Sequence, residues 1–545
     1  MSKLRVFRSS ALVLAAAGLV QQLLIVVGSA RHVVSEDQAL LWAAARDWGH
    51  LRPRQPNFWG QRYGVTFEAI PAELLRRVGV GFPTGLPLTV AAMGLVAWWL
   101  PGFAAIRRGH RALGLAALAA PLVLSSQYAV MGVVYNTAFA RLLASLVLAA
   151  VVLRPAGRLT PALVVAAGGL AVQFDTSTAL VVIPALVVLI AERMAGDRPV
   201  GPVPPGGVDL PHRRDSGGRR ETVIAAVVGA GPPVAWAWFT RRWYARHPDD
   251  AMHPAPTLHP TFGVLLDNLS NPTRHFTDLA PELWHSPVVV VAVVAALAVV
   301  GRRRQRPAAQ SALAAVVGLG LLILALPRSR DGFATVYYPV ARVLLPLPIA
   351  LWCCAWLLRS RSDGPETGAG SRRSGPPFDV RRSRPAVAVV IVLAVVSCGL
   401  RLARWDGGGG GVDRLFAGAR GFENYPLTPV PEMVGRCDRI ARAAAAAHTA
   451  VVLDELRTTA YACAGLQPSL MTLYPPYERR AWVLRRADDA GPGSTVIDGT
   501  TPVACGDAGL ACTVVSDGLA VVTLDGISPL DAARRLGVVV RPYVP

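Results

Sequence analysis

The sequence predicts an all-α polytopic membrane protein of about eleven transmembrane helices, with amphipathic helices in its first extracytoplasmic loop and a small C-terminal extracytoplasmic α/β domain. Three observations support this fold class. Of the 545 residues, 52% are hydrophobic and only 17% are charged. Long apolar runs recur along the chain, and arginine-rich segments separate them. The mean hydropathy of +0.40 is high for a soluble protein.

The first apolar run, residues 10–29, follows a basic N-terminus with Lys3, Arg5 and Arg8. Its length and the poor cleavage context after it favour a retained signal anchor over a cleaved signal peptide, with the N-terminus in the cytoplasm. Further spans are predicted at residues 84–106, 112–129, 137–153, 161–173, 177–191, 222–240, 287–301, 308–326, 336–358 and 386–402.

The charges of the loops agree with this number of spans, because every arginine cluster then faces the cytoplasm. The clusters include two cytoplasmic linkers rich in Pro, Gly and Arg, residues 193–221 and 359–385.

The transmembrane domain is predicted to cover residues 1–403, with residues 30–83 as its first extracytoplasmic loop. A glycine-rich hinge, residues 404–411, leads to the C-terminal domain, residues 412–545. The formal net charge of +20 reflects topology, so no nucleic-acid partner is expected.

The predicted C-terminal domain contains four of the seven cysteines. An even number there fits two disulfides in an oxidising compartment, and we predict the pairs Cys437–Cys463 and Cys505–Cys512. Strands are predicted at residues 450–453, 494–497, 511–515 and 519–524, and helices at residues 433–447 and 529–536. The cysteine and histidine spacings match no metal motif, so no metal site is predicted.

The first extracytoplasmic loop is too polar to span a bilayer and carries many aromatic residues. Two of its stretches have apolar residues at helical spacing: Leu40, Leu41, Ala44 and Ala45, then Phe67, Ile70, Leu74, Leu75 and Val78. We predict two amphipathic helices at the membrane surface. Glu36 and Asp37 lie where the first span leaves the membrane, a suitable place for a catalytic carboxylate. The alternative is that they only cap the helix that follows.

Two arginines, Arg141 and Arg342, lie inside predicted spans near the outer membrane face. An arginine within a membrane normally faces a cavity or a polar partner, so the pair suggests one polar cavity that opens outward. The alternative for Arg141 is that its side chain extends back to the membrane interface.

The stretch Phe58-Trp59-Gly60-Gln61-Arg62-Tyr63-Gly64, followed by Phe67-Glu68-Ala69, resembles a first-loop signature of bacterial GT-C-type membrane glycosyltransferases. These are the relatives of protein O-mannosyltransferases and lipid A aminoarabinose transferases. Looser similarities at residues 135–138, 168–177 and 342–347 follow in the same order, so the resemblance covers about residues 5–402. The family has an Asp just after the first span, where this chain has Glu36-Asp37-Gln38 instead of an Asp-Glu pair. Which carboxylate acts therefore stays open.

The resemblance implies a hexosyl- or pentosyltransferase of the bacterial cytoplasmic membrane that moves a sugar from a polyprenyl-phosphate donor to an extracytoplasmic hydroxyl of a lipid, glycan or protein acceptor. It implies direct transfer with inversion, and no certain cofactor; a divalent cation is neither required nor excluded by the sequence. The implied roles are a general base for Asp37 or Glu36, phosphate binding for Arg342 or Arg141, sugar binding for Gln61, Tyr63 and Glu68, and stacking for Trp59.

Two other functions compete with this interpretation. A transporter or lipid flippase predicts repeat symmetry between the halves and polar residues through the middle of the membrane, and the sequence has neither. A non-catalytic membrane scaffold would keep the fold and tolerate the loss of Asp37.

Overall fold

The computed structural model describes residues 2–28, 30–51, 55–59, 64–108, 111–123, 138–153, 160–175, 217–247, 428–446, 450–454, 457–467, 470–472, 482–486, 495–498, 509–510, 512–516, 519–523 and 539–542, with a few positions between 178 and 189. Within these residues the N-terminal half is helical, and the C-terminal part combines helices with β-strands. This division agrees with the predicted fold class.

The N-terminal half is built from helices numbered here in chain order. They are α1 (Ser2–Gly28), α2 (Glu36–Gly49), α3 (Ala69–Arg77), α4 (Phe82–Arg107), α5 (Arg111–Val123), α6 (Ala138–Leu153), α7 (Thr160–Phe174), α8 (Gly217–Gly229) and α9 (Gly231–Arg246). A 3₁₀ turn (Ala30–His32) and strand β1 (Val33–Val34) join α1 to α2. The two helices predicted for the first loop are α2 and α3.

Six predicted spans coincide with described helices, at α1, α4, α5, α6, α7 and the pair α8–α9. The pair was predicted as one span. It is interrupted at Ala230, because Pro232 and Pro233 have no amide hydrogen to donate to the preceding turn. The predicted spans at 287–301, 308–326, 336–358 and 386–402 lie outside the described residues, and about half of the positions of 177–191 do.

Among the described residues, three helical stretches are long and apolar enough to cross a membrane: Ser9–His32, Phe82–Arg107 and Val223–Arg246. Large apolar side chains are exposed along the first and third of these, including Leu12, Val13, Val227 and Val234. Water would disfavour such a surface and lipid would favour it. These helices therefore have the length and the surface of membrane spans.

Small residues let the helices approach closely. A Cβ atom built on Gly114 of α5 would lie 2.5 Å from the carbonyl oxygen of Gly102 in α4. Only glycine permits this distance between the two backbones. In a lipid bilayer, water does not drive apolar helices together. Close packing of this kind therefore contributes much of the free energy of their association.

The C-terminal part forms an α/β domain. Its elements are β2 (Thr428–Pro429), α10 (Val430–Ala446), β3 (Ala450–Asp454), α11 (Arg457–Leu466), β4 (Leu470–Thr472), β5 (Trp482–Arg486), β6 (Thr495–Asp498), β7 (Cys512–Ser516), β8 (Leu519–Thr523) and β9 (Val539–Pro542). Five strands form an antiparallel sheet in the order β4-β5-β3-β8-β7, and β6 pairs with β9. Strands β7 and β8 lie where strands were predicted at residues 511–515 and 519–524, and they pair with each other.

One predicted disulfide, Cys437–Cys463, is present and joins α10 to α11. Both cysteines are fully buried. The other predicted pair involves Cys505, which lies outside the described residues, as does the predicted helix at 529–536.

The C-terminal domain packs directly on the first loop, a contact that the sequence did not predict. Strand β1 pairs antiparallel with β2, matching Val33 with Pro429 and Val34 with Thr428. Helix α2 lies against α11, and buried residues of both helices belong to a single hydrophobic cluster with residues of α10. The two ends of the chain thus share one core.

Candidate active site

The start of α2 carries the predicted catalytic acids, but two other residues cap the helix. The Ser35 hydroxyl accepts a hydrogen bond from the Gln38 amide at 3.3 Å, and the Gln38 side-chain oxygen accepts one from the Ser35 amide at 2.9 Å. This reciprocal arrangement is a capping box. Gln38, which departs from the family's acidic pair, therefore has a structural role. The cap does not depend on Glu36 or Asp37.

Asp37 lies in the first turn of α2 and is partly exposed. The predicted apolar face of the same helix, Leu40, Leu41, Ala44 and Ala45, is fully buried against the core. This burial fixes the helix and with it the place of Asp37. The first turn of a helix is a position where a carboxylate is readily accommodated.

The signature loop, residues 58–64, is closed at its two ends. The Phe58 amide donates to the Gly64 carbonyl at 3.3 Å, and the Gly64 amide donates to the Phe174 carbonyl at the end of α7 at 3.0 Å. Gly64 has a φ of 72°, a conformation that glycine adopts at little cost. Gln61 and Tyr63, both predicted to bind the sugar, lie between these anchors but outside the described residues.

Trp59 lies in the core that joins the loop to the C-terminal domain. Only 1% of its surface is exposed. Its ring centroid is 6.0 Å from that of Tyr461 in α11. This arrangement leaves almost no surface of Trp59 for the stacking on a sugar that the resemblance implied.

Phe67 is the centre of an aromatic cluster that holds the loop against three apolar helices. Its ring centroid lies 5.3–5.8 Å from those of four other aromatic residues: Trp48, Phe139, Phe174 and Trp236.

The predicted apolar face of the second loop helix is only partly buried, since Leu74 and Val78 in and after α3 are 58% and 76% exposed. Such exposure is expected of a helix at a membrane surface.

Glu68, predicted to bind the sugar, is fully buried and contacts the start of α6 instead. One carboxyl oxygen accepts a hydrogen bond from the Phe139 amide at 2.9 Å; the other has no hydrogen-bond partner among the described residues. Burial raises the pKa of Glu68 to about 8, although the Phe139 amide and the charge of Arg141 act in the opposite direction. The structure thus brings Glu68 and Arg141 together, with Glu68 mostly protonated at neutral pH.

Glu68→Gln is expected to make stability less dependent on pH. Because the pKa of Glu68 is higher in the folded chain, the folded state binds more protons between pH 4.5 and about 8. The free energy of unfolding therefore falls as pH rises through this window. Glutamine keeps the oxygen that accepts from Phe139 and cannot ionise, so the fall should shrink. Thermal unfolding of detergent-extracted protein at several pH values measures this.

Glu73→Gln is the matched control, because the pKa of Glu73 shifts in the opposite direction. Burial alone would raise this pKa, but hydrogen bonds from Arg76 and Arg77 lower it overall. The ionised Glu73 carboxylate therefore stabilises the folded state at pH values above its unfolded-state pKa. This stabilisation is lost as the pH falls through the lower folded-state pKa. Glu73→Gln should therefore destabilise the protein at neutral pH. An unchanged pH profile for Glu68→Gln would contradict the assignment of a raised pKa.

A cavity of about 410 Å³ lies between the first loop and the end of α9. It is lined by Asn57, Thr240, Arg241, Tyr244 and Ala245. Asn57 is 4% exposed, and its side-chain oxygen has no hydrogen-bond partner within the part of the chain that the structure describes. A guanidinium, two hydroxyls and an amide suit a ligand that is anionic at one end and rich in hydroxyls at the other.

Sequence reasoning missed the cavity residues. Arg241 directly follows the predicted span at residues 222–240. Two signals were available: Asn57 directly precedes the signature loop, and Arg241 and Tyr244 have the spacing of one helix face. Of the other predicted residues, Arg342 lies outside the described residues. Within the described ranges, no group of three or more His, Cys, Asp or Glu residues is arranged to hold a metal ion.

Comparison of the sequence with known protein families and with characterised proteins finds no match. The solved structures that are similar to this chain include two at 15% sequence identity. The crystal structure of ArnT from Cupriavidus metallidurans bound to undecaprenyl phosphate has a TM-score of 0.48 and covers 95% of this chain and 98% of ArnT. The cryo-EM structure of the arabinosyltransferase EmbB from Mycobacterium smegmatis has a TM-score of 0.35 and covers 86% of this chain and 45% of EmbB.

Proposed function

We propose that this chain is a membrane glycosyltransferase that moves a sugar from a polyprenyl-phosphate donor to an acceptor hydroxyl outside the cytoplasm. The observation that carries the proposal is the cavity beside the signature loop. Asn57, the residue before Phe58, forms its wall together with Arg241 and Tyr244. The proposal is supported by the position of this cavity, whose polar lining suits a phosphate and a sugar, next to the stretch that resembles the glycosyltransferase signature.

Asp37 acts as the general base in this proposal. Its carboxylate accepts the proton of the acceptor hydroxyl as the hydroxyl oxygen forms a bond to the anomeric carbon of the sugar. The bond between that carbon and the phosphate oxygen breaks, and the lipid phosphate leaves with the electron pair. Attack opposite the leaving group inverts the anomeric configuration. Glu36, its neighbour, is the alternative base.

Arg241 binds the lipid phosphate in this proposal, beside the earlier candidates Arg141 and Arg342. Charge-assisted hydrogen bonds from a guanidinium stabilise the negative charge of the leaving phosphate. Asn57, Thr240 and Tyr244 are polar groups suited to the sugar hydroxyls. Helix α9 continues from Arg241 into a surface with exposed Val234, Trp238 and Phe239, where an apolar polyprenyl chain fits.

Transfer from defined donors tests the proposal. Membranes containing the wild-type protein would be supplied with a set of radiolabelled polyprenyl-phosphate sugars, undecaprenyl phosphate being the lipid in the ArnT structure. We expect label to move to an extracytoplasmic acceptor with inversion, and the free lipid phosphate to form in equal amount. Movement of the intact donor lipid across the membrane, without transfer, would support the flippase alternative and overturn the proposal.

A further inference from the structure

Helix α11 of the C-terminal domain contacts α2 at backbone distance. A Cβ atom built on Gly465 would lie 2.5 Å from the Cβ of Trp42 and 2.9 Å from its backbone carbonyl carbon. No side chain fits at Gly465 unless one of the helices moves. Tyr461 and Cys463, on the same helix, are both fully buried.

Arg46 fastens the C-terminal end of α11 to α2. Its Nε donates to the Gly465 carbonyl at 2.6 Å, and its Nη2 donates to the Leu466 carbonyl at 3.2 Å. The last carbonyls of a helix have no partners within the helix, and a cationic side chain there also complements the helix dipole. The contact is therefore specific in both position and charge.

The start of α2 is held by the same domain. Val34, paired with Thr428 in the β1–β2 ladder, directly precedes the cap residue Ser35. Strand β2 leads without a gap into α10, and the Cys437–Cys463 disulfide joins α10 to α11. Asp37 thus lies between two attachments to the C-terminal domain, the β1–β2 pairing and the α2–α11 contact. The Cys437–Cys463 disulfide links the parts of the domain that form these two attachments.

We propose that the C-terminal domain is a positioning element of the active site, in which α11 and the Cys437–Cys463 disulfide hold α2 and so set the place of Asp37. The assignment of a catalytic role to Asp37 rests on the proposed function; the docking of α2 does not. Arg46, Cys437, Cys463 and Gly465 are positioning residues in this scheme. A displacement of about 1 Å can cost about 100-fold in rate without removing any reacting group.

Gly465→Ala is the direct test, with Gly435→Ala as the matched control. Gly435 lies in α10 of the same domain, and a Cβ there would come no closer than 3.6 Å, to the Arg439 guanidinium. We expect Gly465→Ala to speed amide hydrogen exchange in residues 36–49 and to lower kcat at least about tenfold. Affinity for an unmodified polyprenyl phosphate should stay the same. Gly435→Ala should change none of the three.

Two further sets of variants keep the proposal testable if Gly465→Ala fails to fold. Arg46→Met removes two hydrogen bonds while keeping an apolar side chain in place, and the double variant Cys437→Ala with Cys463→Ala removes the covalent link. Both should raise exchange in α2 and lower kcat with donor affinity unchanged. Cys398→Ala, in a predicted span, is the control for the loss of a cysteine.

The readouts separate the two proposals. Unchanged exchange in residues 36–49 in Gly465→Ala or Arg46→Met overturns the docking inference. Faster exchange with unchanged kcat, or a loss confined to donor affinity, overturns the positioning role. If the wild-type protein transfers no sugar from any donor, the proposed function fails, and hydrogen exchange still decides whether the C-terminal domain holds α2.

Discussion

Replacing Asp37 with asparagine is expected to lower sugar transfer by about 10²–10⁴-fold, the usual contribution of a general base. Asparagine has nearly the same shape but cannot accept the acceptor's proton. The helix itself should be unaffected, because Ser35 and Gln38 form the cap. The initial rate of transfer from a radiolabelled polyprenyl-phosphate sugar measures the effect, and donor affinity is expected to stay close to that of the wild type.

Glu36→Gln is the matched control for Asp37→Asn, since it removes a neighbouring carboxylate from the same helical turn. We expect it to retain most of the activity. A large loss in Glu36→Gln with none in Asp37→Asn would move the base by one residue. Full activity in both variants would mean that neither carboxylate is the base.

Arg241→Met is expected to weaken donor binding by about 10- to 100-fold. Hydrogen bonds to charged groups contribute about 1.5–3 kcal/mol each, and methionine keeps much of the side chain's apolar volume without the charge. The loss should be larger for a polyprenyl phosphate than for the uncharged polyprenol, because the phosphate is the group that Arg241 binds. Equilibrium binding of the two lipids to detergent-extracted protein measures the difference.

Arg242→Met provides the control for the loss of positive charge at the membrane edge. Arg242 is the next residue, but its guanidinium lies over the Trp238 ring at 5.2 Å and it does not line the cavity. An equal loss of binding in both variants would mean that the effect is a general electrostatic one. No loss in either would return the phosphate-binding role to Arg141 and Arg342.

Periodicity predicted the parts of the fold that depend on local sequence. Leu40, Leu41 and Ala44 recur at helical spacing, and the structure buries all three on one face of α2. The long apolar helices α1 and α4 and the pair α8–α9 were predictable for the same reason, since an apolar run of this length predicts a helix that can span a membrane. The even number of cysteines in the C-terminal part indicated two disulfides but not their pairing, because four cysteines allow three pairings; the structure contains the pair Cys437–Cys463.

The roles of Glu68 and Trp59 were not predictable in this way. Both belong to the signature stretch, and their chemistry suits a sugar ligand. The sequence gives the residue type but not the burial, and the structure places Glu68 at the start of α6 and Trp59 against Tyr461. The contact between α2 and α11 has no local pattern at all, because its two sides are complementary only in three dimensions.

The pairing of the first loop with the C-terminal domain constrains the order in which the protein can mature. Arg46 and its partner Gly465 are 419 positions apart, so at about 5–20 residues per second their synthesis is separated by about 20–80 seconds. During that time the apolar face of α2 lacks the helix that covers it. In the proposed function, Asp37 therefore takes its final place only after the C-terminal domain has been synthesised and its Cys437–Cys463 disulfide has formed.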